Sequence, residues 1–259
     1  MKAGAAARLG RPITALGVAS GAALTVLGRA LAAARHMPRV AFLRELHRFG
    51  VGGFPMVGTA ALLAGMVMAL STAGQLGRFG LISRVPDVTA VFVARELAPV
   101  FTALLMAGRA GAGLASELGL VTLSGQAAAM RALGLDLDRE LLAPRLTAVI
   151  AATLLLTTAA ILLGLLGGFA FGTAALDLPP ALFTARLAAA LAPAHIAMGL
   201  VKAVVFGVVI AVSGLVGGLT DKQDAAALGT DTMKAVVRAS FAVLVLDHLL
   251  TTLLDAVFA

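Results

Sequence analysis

The sequence contains no cysteine, tryptophan or tyrosine. Without cysteine there is no disulfide framework, thiol nucleophile or thiolate metal site. Without tryptophan and tyrosine, the aromatic belt that usually marks the membrane interfaces must be formed by phenylalanine or be omitted. Charge is also scarce: 13% of the 259 residues are charged, whereas soluble domains carry roughly 25%. With 60% hydrophobic residues, the chain is predicted to be a polytopic membrane protein.

No catalytic motif is visible. The phosphate-binding loop G-x-x-x-x-G-K-[ST] is absent, because none of the four lysines follows a glycine. The four histidines lie far apart, without metal-ligand spacing, and Ser116 and Ser124 have no partner base. We therefore expect no catalytic residue, metal site or cofactor on this chain. If the protein uses ATP and magnesium, a separate chain must bind them.

Five apolar stretches are each long enough to cross about 30 Å of hydrocarbon, which takes about 20 helical residues. They lie at about 54–75, 88–112, 146–169, 195–219 and 235–258. A Pro-Pro pair breaks the chain after the third stretch, and a short surface helix is expected over 181–192. The predicted fold is therefore all-α, with a transmembrane domain over residues 51–259.

Residues 1–50 are basic and only moderately apolar. Two apolar stripes at helical spacing run through them, opposed by arginines: Ile13, Leu16, Leu24, Leu27 and Leu31, and then Phe42, Leu43, Leu46 and Phe49. Both stripes predict amphipathic helices that lie in the membrane interface. A secretory signal peptide is the alternative, with Arg8 and Arg11 before an apolar stretch, but Arg29 interrupts that stretch.

Basic residues are distributed unevenly between the two sides of the predicted spans. With the N-terminus inside, fifteen Lys and Arg residues fall in the inner segments, and the outer segments hold Arg78, Arg84, Arg95 and Arg186. Because cytoplasmic segments carry an excess of Lys and Arg, we expect the N-terminus inside and the C-terminus outside. The same bias explains the net charge of +7, so nucleic acid is not expected as a partner.

Ionisable residues inside the spans indicate function, because charge in hydrocarbon is costly unless it is paired or hydrated. Arg95 and Glu96 lie about one turn before Pro99, which removes a backbone hydrogen bond to the Arg95 carbonyl and is expected to kink the helix. Neighbouring helical residues point about 100° apart, so these two are not expected simply to pair with each other. At least one is expected to face a hydrated cavity; a location at the outer interface is the alternative.

Two further charges lie within the last two spans. Lys202 is about 10 Å below the outer end of the fourth span, and Asp247 is about 16 Å below that of the fifth. A lysine side chain covers the difference, so a salt bridge between the two helices is predicted. Its role is either to lock the bundle or to contact a substrate. Asp255 and His248 are interpreted as end-of-helix residues without a special function.

A short polar segment joins the second and third spans. Ser124 is predicted to cap a short helix that passes through Met130 and Leu133 and ends at the next glycine. Met130 and Leu133 share one face, whereas Gln126 and Arg131 point elsewhere. A short amphipathic helix at the cytoplasmic surface suits the groove of a partner protein. A solvated loop is the alternative.

The stretch RELAPVFTALLMAGRAGAGLASELG (95–119), followed by LLAPR (141–145), resembles the MlaE/YrbE-type permeases. These are the membrane subunits of MCE-associated ABC transporters, which move lipids in bacterial envelopes. The resemblance continues in GLVKAVVFGVVIA (199–211) and KAVVRASFAVLVLD (234–247), and it covers residues 40–258 in order.

The resemblance implies a bacterial inner-membrane protein, with its N-terminus cytoplasmic and its C-terminus periplasmic, that forms a homodimer around a lipid cavity. The implied partners are two cytoplasmic ABC ATPase subunits, a hexamer of MCE-domain proteins and, in many systems, a small STAS-domain protein. Arg95 and Glu96 match a family pair near the lipid pathway, and Lys202 and Asp247 match a charged pair in the later spans. The implied ATPase-coupling residues, in a segment over about 116–134, are Glu117, Ser124, Gln126, Met130, Arg131 and Leu133.

The chain departs from the family pattern at four positions in three places. Ser124-Gly125-Gln126 replaces the common Thr-Glu-Gln, Ala98 replaces a glycine, and Leu137 replaces a proline. The first change removes an acidic residue from the segment that would dock on the ATPase. The expected function is nevertheless a permease subunit that moves phospholipid or a related lipid between the inner membrane and a periplasmic MCE-domain protein, a process linked to outer-membrane lipid asymmetry. The alternatives are a non-transporting scaffold that anchors an MCE-type complex, and an intramembrane enzyme, for which paired catalytic groups are lacking.

Overall fold

The structure is a computed structural model and describes residues 21–220 and 224–258. Helices account for 91% of the described residues, and none of these residues lies in a strand. The helices are α1 (Gly21–Ala34), α2 (Arg39–Phe79), α3 (Ile82–Leu123), α4 (Gln126–Ala132), α5 (Asp138–Ala175), α6 (Pro180–Ala190), α7 (Pro193–Leu219) and α8 (Ala225–Phe258). Five of them, α2, α3, α5, α7 and α8, are long and apolar enough to cross a membrane. The predicted all-α fold with five spans is confirmed.

The helices extend beyond the predicted spans, most of all α2 and α3. Helix α3 starts at Ile82 and ends at Leu123, so the predicted coupling segment begins inside it. Helix α2 starts at Arg39, so it continues without a break from the predicted interfacial segment into the first span. A helix of 42 residues is about 63 Å long, twice the hydrocarbon thickness. Hydropathy marks only the part of a helix that lies inside the bilayer, so the predicted spans are shorter than the helices. The interfacial position of residues 1–50 stays a prediction.

Helices α3, α5 and α7 form the centre of the bundle. Helix α2 packs along α5, whereas α8 packs on α7 and α3. In each central helix, half of an apolar stretch of 18 residues is buried. In α8 only 11% of the corresponding stretch is buried. Helix α8 therefore lies at the edge of the protomer and leaves most of its apolar surface uncovered.

Glycine allows the helix backbones to touch. A Cβ atom on Gly65 of α2 would lie 1.9 Å from the Gly164 carbonyl oxygen of α5, and one on Gly199 of α7 would lie 2.2 Å from the Ala94 carbonyl oxygen of α3. Any side chain at these positions would push the helices apart. Small residues are typical of helix contacts within lipid, where close van der Waals packing drives association.

Helix α1 is attached to the bundle by both apolar and ionic contacts. Val26 and Ala30 are buried in the main core, and the Arg29 guanidinium donates to the Asp138 carboxylate at 2.7 Å. This hydrogen bond raises the pKa of Arg29, because it favours the charged form. The stripe residues Ile13 and Leu16 lie outside the described residues, as do the arginines on which the signal-peptide alternative depends.

Candidate functional site

Arg95 and Glu96 lie in the outer part of α3, within a π-helical turn over Val93–Leu97. Pro99 follows within a turn and cannot donate a backbone hydrogen bond to the Arg95 carbonyl. The structure has a widened turn at this place, and the predicted kink stays a prediction. The Arg95 and Glu96 side chains are 20% and 23% exposed. Both are therefore held between helices while still reaching the protomer surface.

Lys202 joins three helices through its ammonium group. Its side chain is completely buried on α7, and Nζ lies 2.5 Å from Glu96 Oε2 of α3 and 2.9 Å from Asp247 Oδ1 of α8. Nζ also donates to the Thr251 hydroxyl at 2.7 Å. A buried cation is tolerated only when it is paired and hydrogen-bonded. The structure thus brings the predicted partners Lys202 and Asp247 together, and it adds Glu96 as a second carboxylate on the same ammonium.

Arg95 has its closest charged partner near the end of α8. Its guanidinium donates to the carboxylate of Asp255, and its Nε lies 3.9 Å from Glu96 Oε1. Asp255 lies near the end of α8, as interpreted from the sequence, and it has an ionic partner that the sequence did not reveal. The expectation that Arg95 and Glu96 are not simply each other's partners agrees with the geometry, because the shortest ionic contact of each lies on another helix.

Sequence reasoning did not assign two members of this site, Thr251 and Asp255. Asp247, Thr251 and Asp255 are spaced four residues apart on α8, so they share one face of the helix. That spacing could have revealed the site, because a polar stripe within an apolar span faces the bundle or a hydrated cavity. We call the whole group the outer charged cluster, formed by Arg95, Glu96, Lys202, Asp247, Thr251 and Asp255.

Two apolar grooves meet at the outer charged cluster. One, of about 570 Å³, runs along Val88, Val91 and Phe92 to Arg95 and Glu96, and the other, of about 330 Å³, is lined by Phe92, Leu97, Val100 and Phe101 with Glu96 and Asp247. Both grooves are open on the surface of the protomer and share Phe92 and Glu96. The arrangement offers apolar walls beside a few charged groups, which suits an amphiphilic ligand.

The segment between α3 and α5 contains a short helix, α4, as predicted, but its cap differs. The prediction that Ser124 caps it is wrong: the residue before the helix is Gly125, with φ 72°, and no side chain caps the helix. Ser124 instead follows the last residue of α3. Helix α4 ends at Ala132, so Leu133 lies just outside the helix instead of within it as predicted, and the left-handed glycine Gly134 follows. The side chains exposed on this segment include those of Ser124, Gln126, Arg131 and Leu133, whereas Met130 is half-buried.

Glu117 lies within a second ionic group rather than at the tip of the segment. The Arg48 guanidinium donates to its carboxylate, and Arg145 Nη2 lies 3.5 Å from it. Glu45 contacts the same two arginines, at 3.5 Å and 3.3 Å. This inner ionic cluster joins α2, α3 and α5 at the ends that are predicted to be cytoplasmic. Glu117 is therefore committed to contacts within the chain, and its contact with an ATPase stays a prediction.

Five helices of membrane-spanning length, three of which are joined by a buried ammonium, define the class of this protein: a multi-pass membrane protein with a charged site at the edge of its bundle. Within that class the chain belongs to the MlaE permease family. The model of this family, described as Permease MlaE, matches residues 42–253. It is thus a membrane transporter subunit and not an enzyme on its own, since ATP hydrolysis belongs to a separate subunit.

Relatives of known name agree with the family. A probable ABC transporter permease protein of Rickettsia felis is 31% identical over 211 residues, which cover 82% of each chain. The intermembrane phospholipid transport system permease protein MlaE of Haemophilus influenzae is 29% identical over 85% of this chain and 84% of its own length. The chloroplastic protein TRIGALACTOSYLDIACYLGLYCEROL 1 of Arabidopsis thaliana is 29% identical, over 81% of this chain and 60% of its own length. The chain is therefore similar to ABC transporter permeases along most of its length.

Proposed function

We propose that this chain moves phospholipid or a related lipid between the inner membrane and a periplasmic MCE-domain protein, as the permease subunit of an ABC transporter. The observation that carries the proposal is the outer charged cluster, which lies where two apolar grooves meet. A lipid needs apolar walls for its acyl chains and a few charges for its head group. The relative from Haemophilus influenzae, which is named as a phospholipid transport permease, supports the same substrate class.

The proposed assembly is a homodimer with two ABC ATPase subunits, an MCE-domain hexamer and, in some systems, a STAS-domain protein. The uncovered face of α8 supports the homodimer, because large apolar residues remain exposed along it: Met233, Val237, Phe241, Leu244, Leu249 and Leu253. A second copy that meets this face would enclose the grooves beside α3 and α8. Helix α4, at the opposite end of the bundle, is the proposed docking element for the ATPase.

A transport assay tests the proposal. In liposomes that contain the assembled transporter, we expect Glu96→Gln to reduce ATP-dependent lipid transfer at least about tenfold, because a contact to a charged group contributes about 1.5–3 kcal/mol. Asp177→Asn is the matched control, since Asp177 is an exposed loop residue with φ 51°, which asparagine adopts readily.

Equal transfer by the Glu96→Gln variant and the parent chain would remove Glu96 from the pathway. A parent chain that increases no ATP hydrolysis and transfers no lipid would instead indicate the non-transporting scaffold.

A further inference from the structure

Arg109 is an exposed arginine on α3 without an ionic partner in the described part of the chain. It lies in a second π-helical turn, Ala107–Gly111. Its guanidinium lies directly against Gly52 of α2, where an added Cβ atom would be 2.6 Å from Nη2. The glycine therefore makes room for the guanidinium, and no described carboxylate neutralises it.

The carboxylates of the inner ionic cluster already have partners. Glu117, eight residues further along α3, lies about 12 Å away along the helix axis and is bound by Arg48 and Arg145. Glu45 contacts the same two arginines. The inner ionic cluster is thus complete without Arg109, whose charge is left for a group outside the protomer.

A second copy that meets the uncovered face of α8 offers Arg109 no free carboxylate. Helix α3 has no carboxylate between Glu96 and Glu117, and α8 has none between Asp231 and Asp247. Asp231 lies within about 5 Å of the depth of Arg109, counted along the two helices from Glu96 and Asp247. It already contacts Lys234 Nζ at 3.2 Å. An unpaired cation near the edge of the hydrocarbon requires water or an anion from its surroundings.

Arg109 lies 14 positions after Arg95, which is about 21 Å further along α3. The strip between them is uncharged and includes Phe101, which is 40% exposed, the half-buried Leu105, and Gly108, which has open space around it. One uncharged strip thus connects two guanidinium groups at different membrane depths.

We propose that Arg109 binds the phosphate of a membrane lipid at the cytoplasmic end of this strip, as a second head-group position below the outer charged cluster. The inference rests on the proposed lipid transport and names a binding residue for it. A guanidinium matches phosphate geometry through two parallel hydrogen bonds. At the depth of Arg109, close to the inner end of the span, the phosphate of a cytoplasmic-leaflet lipid is the anion within reach.

Fluorescence quenching tests this site in the full chain. Because the sequence has no cysteine, Leu105→Cys gives a single labelling position about 6 Å from Arg109 along the helix. In detergent, the labelled chain is titrated with a phosphatidylethanolamine that carries a nitroxide on its head group. The parallel titrations use a nitroxide diacylglycerol, which lacks phosphate, and inorganic phosphate as a competitor.

We expect the phospholipid to quench the label and Arg109→Gln to weaken its binding about tenfold, the loss of one charge-assisted contact. Arg109→Lys should recover part of the lost affinity, because lysine keeps the positive charge but lacks the planar pair of N–H donors of the guanidinium. Arg39→Gln is the matched control, because Arg39 is another exposed arginine without an ion pair among the described residues. It should leave the quenching curve unchanged.

Equal affinity in Arg109→Gln and the parent would overturn the inference, as would equal quenching by the phosphate-free lipid. Displacement of the phospholipid by inorganic phosphate would show that the site takes free phosphate instead. If Arg109→Gln does not fold, the two lipids compared on the parent chain still decide the matter. The assay contains no ATPase and measures no transport, so its result is independent of the Glu96→Gln experiment.

Discussion

Lys202 is the residue on which the outer charged cluster depends. It is completely buried, whereas Glu96 and Asp247, the carboxylates on either side of it, are 23% and 22% exposed. If the ammonium is removed, two neighbouring carboxylates are left to repel each other in a partly buried site. Removal of one member of a buried ion pair costs about 3–5 kcal/mol, largely because an uncompensated charge remains.

Lys202→Met should therefore destabilise the protein strongly. We expect a marked decrease in its melting temperature in detergent, and recovery when Glu96→Gln and Asp247→Asn are added, because the triple variant has no unpaired charge at this site. If the triple variant is as stable as the parent but transfers no lipid, the cluster has a role in transport. Full transfer by that variant would indicate a structural lock, the alternative that the sequence left open.

At the scale of single elements, α4 is the part of the chain best placed to contact an aqueous partner. Leu133, at its end, is 77% exposed, which is a large exposed fraction for a leucine at the end of the bundle that is predicted to be cytoplasmic. Gly125 and Gly134, both with positive φ, define the two ends of the helix. Because Gly125 carries no side chain, any docking contact must come from the neighbouring residues.

Leu133→Glu should weaken retention of the ATPase about tenfold in co-purification, the equivalent of about 1.4 kcal/mol, because it places a charge where an apolar contact is expected. Leu81→Glu is the matched control, since Leu81 is an exposed leucine in the loop at the other end of the bundle. Undiminished retention in Leu133→Glu would show that α4 is not the docking element.

For the whole molecule, an odd number of spans places the segment before the first span and the segment after the last span on opposite sides of the membrane. The excess of Lys and Arg in the inner segments predicts that the α3–α4 turn is cytoplasmic and the α2–α3 loop periplasmic. A membrane-impermeant maleimide should therefore label Leu81→Cys in cells with a permeable outer membrane, and Ser124→Cys only after the inner membrane is opened. The chain lacks cysteine, so the background is low. The reverse labelling pattern would contradict the orientation.

The sequence alone determined the number and approximate positions of the spans, because about 20 consecutive apolar residues have no other stable environment than a bilayer. Counting residues from the helix ends also predicted the Lys202–Asp247 contact. The helix ends were set too short, since α2 and α3 continue into regions where charged residues face head groups or water. Hydropathy does not report that continuation.

Only the tertiary structure decided which charges meet besides Lys202 and Asp247. The second carboxylate on Lys202 and the pairing of Arg95 with Asp255 depend on α3 packing beside both α7 and α8, and that contact is set by close approach of small residues such as Gly199 and Ala94. The same packing leaves Arg109 without a carboxylate. Burial makes every charge depend on its neighbours, and helix neighbours are fixed by side-chain packing across the whole bundle rather than by any local pattern.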